Sequence, residues 1–304
     1  MIQIIATAES AEQAQALAET GVNTLLVGED EFGLRLPASF TLEEIGALTN
    51  MAHHRGAKVC VAVNAVMHND RIRKLPAYLL ALRKIGVDAI SVGDPGAVQV
   101  MRTHQIDIPY VYDAHTLVTN ARQINFWTKR GAVGAVLARE LTFEEIKAIA
   151  AQVSVPLEIL VYGATCIHQS KRPLVDNYLQ FTEQPRESKK GFFLSEPKQP
   201  DTHYSIYEDR NGTHIFATDD VNLVPYLGEL AEAGLRVWKM DGIFTRGETF
   251  VNIAGLLAEA RRAIEAGQWT AETAASLNER IKDLHPKERS LGEGFFTKQA
   301  DDVQ

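Results

Sequence analysis

The chain has 304 residues, 45% hydrophobic and 23% charged, with a formal net charge of −8. Those values fit an average globular protein and argue against a general nucleic-acid coat or membrane-surface protein, while leaving room for a local basic patch. Only two cysteines, Cys60 and Cys166, occur, which excludes a disulfide framework and makes a reducing cytoplasm the expectation. No apolar run reaches the roughly 18 residues of a membrane-spanning helix. The opening MIQIIATAES has no basic region ahead of its apolar stretch, so no signal peptide is expected.

In chain order the sequence repeats a short apolar strand, a loop and an amphipathic helix. The expected strands are Ile2–Ala6, Asn23–Val27, Lys58–Val63, Asp88–Val92, Tyr110–Tyr112, Val133–Leu137, Leu157–Val161 and Leu235–Met240. Helices are expected at Ala11–Thr20, Leu42–Arg55, Leu75–Ile85, from Pro95, Ala121–Lys129, after Thr142, and at Leu223–Ala233. Ser10 reads as an N-cap. Thr41 with Glu44 and Thr142 with Glu145 read as capping boxes, and Gly21, Gly56, Gly86 and Gly131 as stops. Eight strand–helix units favour a closed (β/α)8 TIM-like barrel over an open sheet. The missing GxGxxG after the first strand further disfavours a dinucleotide fold.

The expected layout is a barrel over 1–266 with an insertion at 167–222, then a C-terminal helix and tail over 267–304. The insertion is too long for a plain loop. Its second half, YSIYEDRNGTHIFA, reads as a hairpin turning at Asn211-Gly212. Its first half, Ser170 to Gln199, is polar and expected to be mobile. It carries Lys171, Arg172, Arg186, Lys189, Lys190 and Lys198 against Asp176, Glu183, Glu187 and Glu196. A solvated lid and a nucleic-acid contact both fit that balance. The tail from Lys287 ends in an acidic stretch expected to fray.

Barrel chemistry collects at the C-terminal strand ends. Those positions supply Arg35, Asn64, Asp113, His115, Arg139, Glu140, Glu158, Tyr162, Cys166, His168, Lys239 and Asp241. Glu158 and Lys239 sit in apolar strands that should be neighbours, so an ion pair is expected to satisfy both. Asp113-x-His115 offers two metal ligands but no evident third, and no metal is assigned. Cys166 and His168 could form a nucleophile and base, or be an inert thiol and a surface imidazole. Glu158, Lys239, Asp241, Cys166 and His168 are the candidate catalytic groups. Arg35, Asn64, Asp113, His115, Arg139, Glu140 and Tyr162 are the candidate substrate-binding groups.

These residues resemble a known family. Lys239-Met240-Asp241-Gly242 is similar to the KIEG signature of the collagenase-like peptidases, family U32. GEDEFGLR at Gly28–Arg35, Asn64–Asn69, Asp88–Pro95, Arg139–Ile146, Glu158–Cys166 and the acidic residues from Glu208 to Asp220 resemble further family elements along nearly the whole chain. The resemblance implies one of two activities. One is peptidase action on collagen. The other is hydroxylation of RNA bases or quinones with an iron–sulfur cluster on four cysteines, including prephenate-dependent 5-hydroxyuridine formation at the tRNA wobble position. The chain looks most like the short-subunit type, which implies a paralogous partner and tRNA.

The departures bear on activity. The family's second cysteine falls at Pro173, the further cluster cysteines are absent, and the signature histidine is Tyr162. Two cysteines cannot supply four thiolates, so this chain alone is not expected to bind a cluster. The expected function is a non-cluster subunit of the tRNA system, with prephenate as co-substrate. A collagenase-like peptidase using Cys166–His168 or a metal on Asp113/His115, and an inactive binding subunit, are the alternatives.

Overall fold

The computed structural model describes residues 1–185 and 192–299. Arg186, Glu187, Lys189 and Lys190 of the basic stretch, and the acidic end at 300–304, lie outside the described residues. The barrel elements are β1 (Gln3–Thr7), α1 (Ala11–Thr20), β2 (Thr24–Val27), α2 (Leu42–His54), β3 (Lys58–Val63), α3 (Asn69–Ile72), α4 (Leu75–Ile85), β4 (Ala89–Val92), α5 (Pro95–Thr103), β5 (Tyr110–Tyr112), α6 (Ala121–Thr128), β6 (Ala132–Val136), α7 (Phe143–Ala150) and β7 (Leu157–Ser170). The inserted elements α8 (Leu174–Phe181), β8 (Phe192–Glu196), β9 (Gln199–Asp209) and β10 (Gly212–Asn222) follow. Then come α9 (Leu227–Glu232), β11 (Val237–Met240), α10 (Gly247–Glu265), α11 (Ala271–Leu284) and β12 (Ser290–Gly292).

Strands β1 to β7 pair in order and in parallel, and β11 closes the ring between β7 and β1. The fold is a TIM-like barrel. The caps form where short polar side chains meet orphan amides: Ser10 accepts from Gln13, and Thr41–Glu44 and Thr142–Glu145 close reciprocal boxes. A separate cluster on the strands is made of Ile5, Leu26, Cys60 and Ala62. The large aliphatic side chains pack between the strands and the helices. Among the described residues, no helix is long and apolar enough to cross a membrane.

Four expectations change. The seventh strand does not end at Val161: β7 runs on to Ser170, 14 residues in all. The extension is satisfied because β10 pairs with it antiparallel, Asn222 opposite Tyr162 through Thr213 opposite Ser170. The first half of the insertion holds a helix, α8, whose opening amides Val175 and Asp176 are capped from a distance by the Glu208 carboxylate at 2.6 and 3.1 Å. The helix expected at Leu223–Ala233 opens as a 3-10 turn over Val224–Tyr226, because Pro225 cannot donate to a ladder. The hairpin turn itself falls one residue early, with Gly212 already paired to Asp209.

The hairpin tip is tied to the barrel. Asn211 donates to the carbonyls of Asp30 and Gly33 at 3.0 and 3.3 Å and accepts from Arg71 at 2.6 Å, and Arg210 pairs with Asp30 at 3.2 Å. Farther along, β12 pairs with β10, and Arg289 meets Asp220 at 2.6 Å.

One glycine makes the strand extension sterically allowed. Gly163 has φ +120°, and a Cβ there would lie 2.3 Å from the Asp241 carbonyl oxygen. Gly163→Ala is therefore expected to lower the unfolding free energy by more than about 2 kcal/mol in urea titrations. Gly255→Ala, in α10 with open space around it, is the control. It should be neutral or stabilising by up to about 1 kcal/mol.

Candidate active site

Strands β7 and β11 deliver opposite charges into the barrel. Val237 is in register with Glu158, so Lys239, two residues on, points to the same inner face. The Lys239 ammonium lies 3.4 Å from the Glu158 carboxylate, with side chains only 8% and 9% exposed. Burial raises the Glu158 carboxyl above its ordinary value, and Lys239 opposes that rise. Either charge alone would be costly at this depth.

Above this pair, β3 and β5 build a second layer. Asn64 donates to Asp113 at 2.7 Å and accepts from the Leu34 amide at 2.9 Å, joining three strand ends. The Asp113 carboxyl is buried, which opposes ionisation. The Lys239 charge, the Asn64 hydrogen bond and the Arg35 charge outweigh burial and hold it low. His115 is the reverse case. Burial and then the Arg35 guanidinium push its imidazole down to about 4, so it is neutral at pH 7. The neutral ring accepts from Arg35 on Nδ1 at 2.6 Å, while Nε2 lies 3.2 Å from the Asn64 carbonyl and donates to it. Arg35 and His115 both adopt left-handed backbone, φ +53° and +52°. That conformation costs roughly 1–2 kcal/mol per non-glycine residue and tends to collect at functional sites.

The third group spans β6 and β11. Arg139 donates to the Ala164 carbonyl at 2.5 Å and reaches Asp241 at 3.5 Å. Asp241 also accepts from the Ile243 amide at 3.1 Å. These side chains, with Thr7, Thr165 and Cys166, line a cavity of about 50 Å³ at the barrel mouth. It opens beside a groove of about 520 Å³ bordered by Arg35, Asp94, His115 and the Cys166–Gln169 segment.

The structure thus brings together Arg35, Asn64, Asp113, His115, Arg139, Lys239, Asp241 and Cys166, with Glu158 beneath them and Glu140 exposed at the rim. It does not bring Tyr162 to the mouth. That phenol is fully buried on the other side of β7, bonded to Thr245 at 3.0 Å and His285 at 2.8 Å. Nor does His168 act on Cys166 through its ring. His168 is exposed, and the thiol instead donates to its backbone carbonyl at 3.2 Å. Arg139 pairs with Asp241 and not with Glu140, and Asp94 caps α5 through the Gly96 amide at 2.7 Å. Among the described residues, no three His, Cys, Asp or Glu side chains gather as a metal site. Sequence reading missed Gln169, which accepts from Arg35 at 2.9 Å, and His214 and Asp209 beyond it. Only the β7–β10 pairing reveals them.

Two outcomes follow. Lys239→Met should destabilise the fold by about 3–5 kcal/mol in urea titrations, and adding Glu158→Gln should recover much of that loss, because the first change strands a buried carboxyl. The depressed His115 pKa predicts stability that is complete above the unfolded value of 6.5 and is lost as pH falls toward about 4. The His115→Asn variant should therefore show a shallower fall in urea midpoint between those pH values than the wild type.

A model of peptidase family U32 matches residues 9–304. A tRNA hydroxylation protein P2 of Bacillus subtilis is 35% identical, over 98% of this chain and 98% of that protein. The tRNA hydroxylation protein P1 of the same organism is 26% identical over 87% of this chain and 63% of its own length. A collagenase of Porphyromonas gingivalis is 21% identical over 97% of this chain and 73% of its own. The solved structure of a U32 peptidase superposes with a TM-score of 0.51 at 18% identity, over 79% of this chain and 92% of that one. The chain belongs to peptidase family U32.

Proposed function

We propose that this chain is a non-cluster subunit in the hydroxylation of tRNA uridine, holding a small dianionic carboxylate such as prephenate at the barrel mouth. Arg35 is the observation that carries this reading. Its guanidinium is bonded to an amide, Gln169, and to a neutral imidazole, His115, and has no carboxylate partner within bonding distance among the described residues. A buried-edge guanidinium without a counter-ion is a ready site for a carboxylate. Arg139, shared between a carbonyl and Asp241, lies across the same cavity.

The residues do not fit a four-thiolate cluster. The chain has two cysteines, Cys60 in the barrel interior and Cys166 at the mouth. A redox step by a cluster would then fall to a cysteine-bearing paralogue, and the likeness to two related tRNA hydroxylation proteins of one organism supports a paired arrangement. Exposed Lys171 and Arg172 beside the mouth offer contacts for tRNA phosphates. The proposed setting is cytoplasmic.

Mass spectrometry of tRNA nucleosides tests this. In a strain lacking the gene, 5-hydroxyuridine derivatives should fall and be restored by the wild-type gene. Arg35→Met should restore them roughly tenfold less well or worse. An unchanged nucleoside profile on deletion would overturn the reading.

A further inference from the structure

The β7–β10 pairing holds a constellation that the mouth chemistry does not use. Along β10, His214 lies opposite Gln169, Ile215 opposite His168, and Phe216 opposite Cys166. Ile167 is skipped, so β7 bulges there. Cross-strand partners share a face, and the bulge resets the alternation of β7. Cys166 and Gln169 therefore share the face of His214 and Phe216, which strict alternation would forbid. The His214 side chain is fully buried, with 0% exposure. Its Nε2 lies 2.9 Å from Asp209 Oδ1. Its Nδ1 is buried with no closed hydrogen bond. The thiol beside this imidazole is Cys166, which is partly exposed and lines both the cavity and the groove.

We propose that Cys166, His214 and Asp209 form a nucleophilic thiol–imidazole–carboxylate site on the edge of the mouth, taking a carbon electrophile that carries an anionic group. Asp209 accepts Nε2–H and so fixes the tautomer, leaving the Nδ1 lone pair for the thiol. In the reaction the S–H bond breaks and its proton passes to Nδ1. The sulfur pair forms an S–C bond, and the electron pair of the broken carbon bond leaves with the departing group. Arg35, whose charge favours the thiolate, supplies the preference for an anion.

The local charges agree with this direction. Burial opposes the Cys166 thiolate, but the neighbouring His214 ring and the Arg35 charge outweigh it and lower the thiol below its ordinary value. Burial likewise opposes the His214 imidazolium, and the Asp209 hydrogen bond and the neighbouring Cys166 sulfur outweigh it and raise the ring. The other titratable groups facing the site are Tyr207 of β9, whose ring lies 5.0 Å from that of His214, and Asp241 at the end of β11. Cys60 is the opposite case, its thiol raised by burial inside the barrel.

The test is alkylation of the full chain by iodoacetate and iodoacetamide, followed over pH and mapped by peptide mass. Cys166 should be modified and Cys60 spared. At about pH 6.5, Cys166 should react with iodoacetate at least about threefold faster than free cysteine does. The rate–pH inflection should lie below that of free cysteine. His214→Gln should move the inflection back up, Asp209→Asn should move it partway, and Arg35→Met should abolish the preference for iodoacetate over iodoacetamide. If His214→Gln fails to fold, as judged by circular dichroism, Asp209→Asn carries the test. A wild-type inflection matching free cysteine would overturn the proposal. So would an unchanged inflection in a folded His214→Gln or, should that variant not fold, in Asp209→Asn. The readout involves no tRNA, so it stands or falls apart from the hydroxylation reading.

Discussion

The backbone crossing at Gly163 is the constraint on which the upper half of the molecule depends. The Asp241 amide donates to the Tyr162 carbonyl at 2.9 Å, so β11 is still paired to β7 at that point. One residue later β7 must pass the Asp241 carbonyl at a distance that leaves no room for a Cβ. Only glycine passes there. Because it does, β7 leaves the barrel as a strand and not as a loop, and β10 can add to it. That addition carries the hairpin tip to the loops after β2 and β3, where Asn211 and Arg210 fasten it. The mouth is thus walled on one side by sheet.

Charge decides what this wall encloses. The cavity and its floor hold Lys239, Arg139 and Arg35 against Glu158, Asp113 and Asp241. With Glu140 at the rim, four acids face three bases, and the pairing is uneven. Lys239 meets Glu158 and Arg139 meets Asp241, whereas Asp113 is bonded to Asn64. His115 stands between Asp113 and Arg35, its Nδ1 at 3.6 Å from the carboxylate and 2.6 Å from the guanidinium. Being neutral, it separates the remaining acid from the remaining base. The left-handed backbone at both Arg35 and His115 is the cost of placing those two side chains tip to tip. Polarity of this kind, acid deep and guanidinium outward, favours an anion arriving from solvent.

Much of the barrel was legible because its signals are local. Eight apolar strands, Gly stops at Gly21 and Gly86, and the Thr41–Glu44 and Thr142–Glu145 boxes each need only a few neighbouring residues. The Glu158–Lys239 pair was legible because two charges in adjacent buried strands have few alternatives. Tyr162 was misplaced because alternation along β7 cannot say which face of an outgoing strand meets the mouth; its partner, His285, lies 123 residues away. The helix α8 was hidden because its cap comes from Glu208, across 33 residues, and not from a neighbouring Ser or Asp. His168 drew attention by its closeness to Cys166 in sequence, yet the bulge at Ile167 sets Cys166 on the face of β10 that carries His214.

That bulge also explains why Arg35 and the Cys166 thiol belong to one surface. Gln169 shares its face with Cys166 only because Ile167 is skipped, and Gln169 is the residue that holds Arg35 from the far side. A regular ladder would point either the thiol or the amide away from the mouth. Arg35 would then lose its anchor or Cys166 its access. A bulge that disrupts pairing is usually a local loss of hydrogen bonds. Here the thiol recovers part of that loss by donating to the His168 carbonyl at 3.2 Å, inside the irregular turn of strand. The distortion is therefore tied by its own contacts to both halves of the mouth, so a change at Ile167 that removed the bulge would displace one of them, the guanidinium or the thiol, from the other.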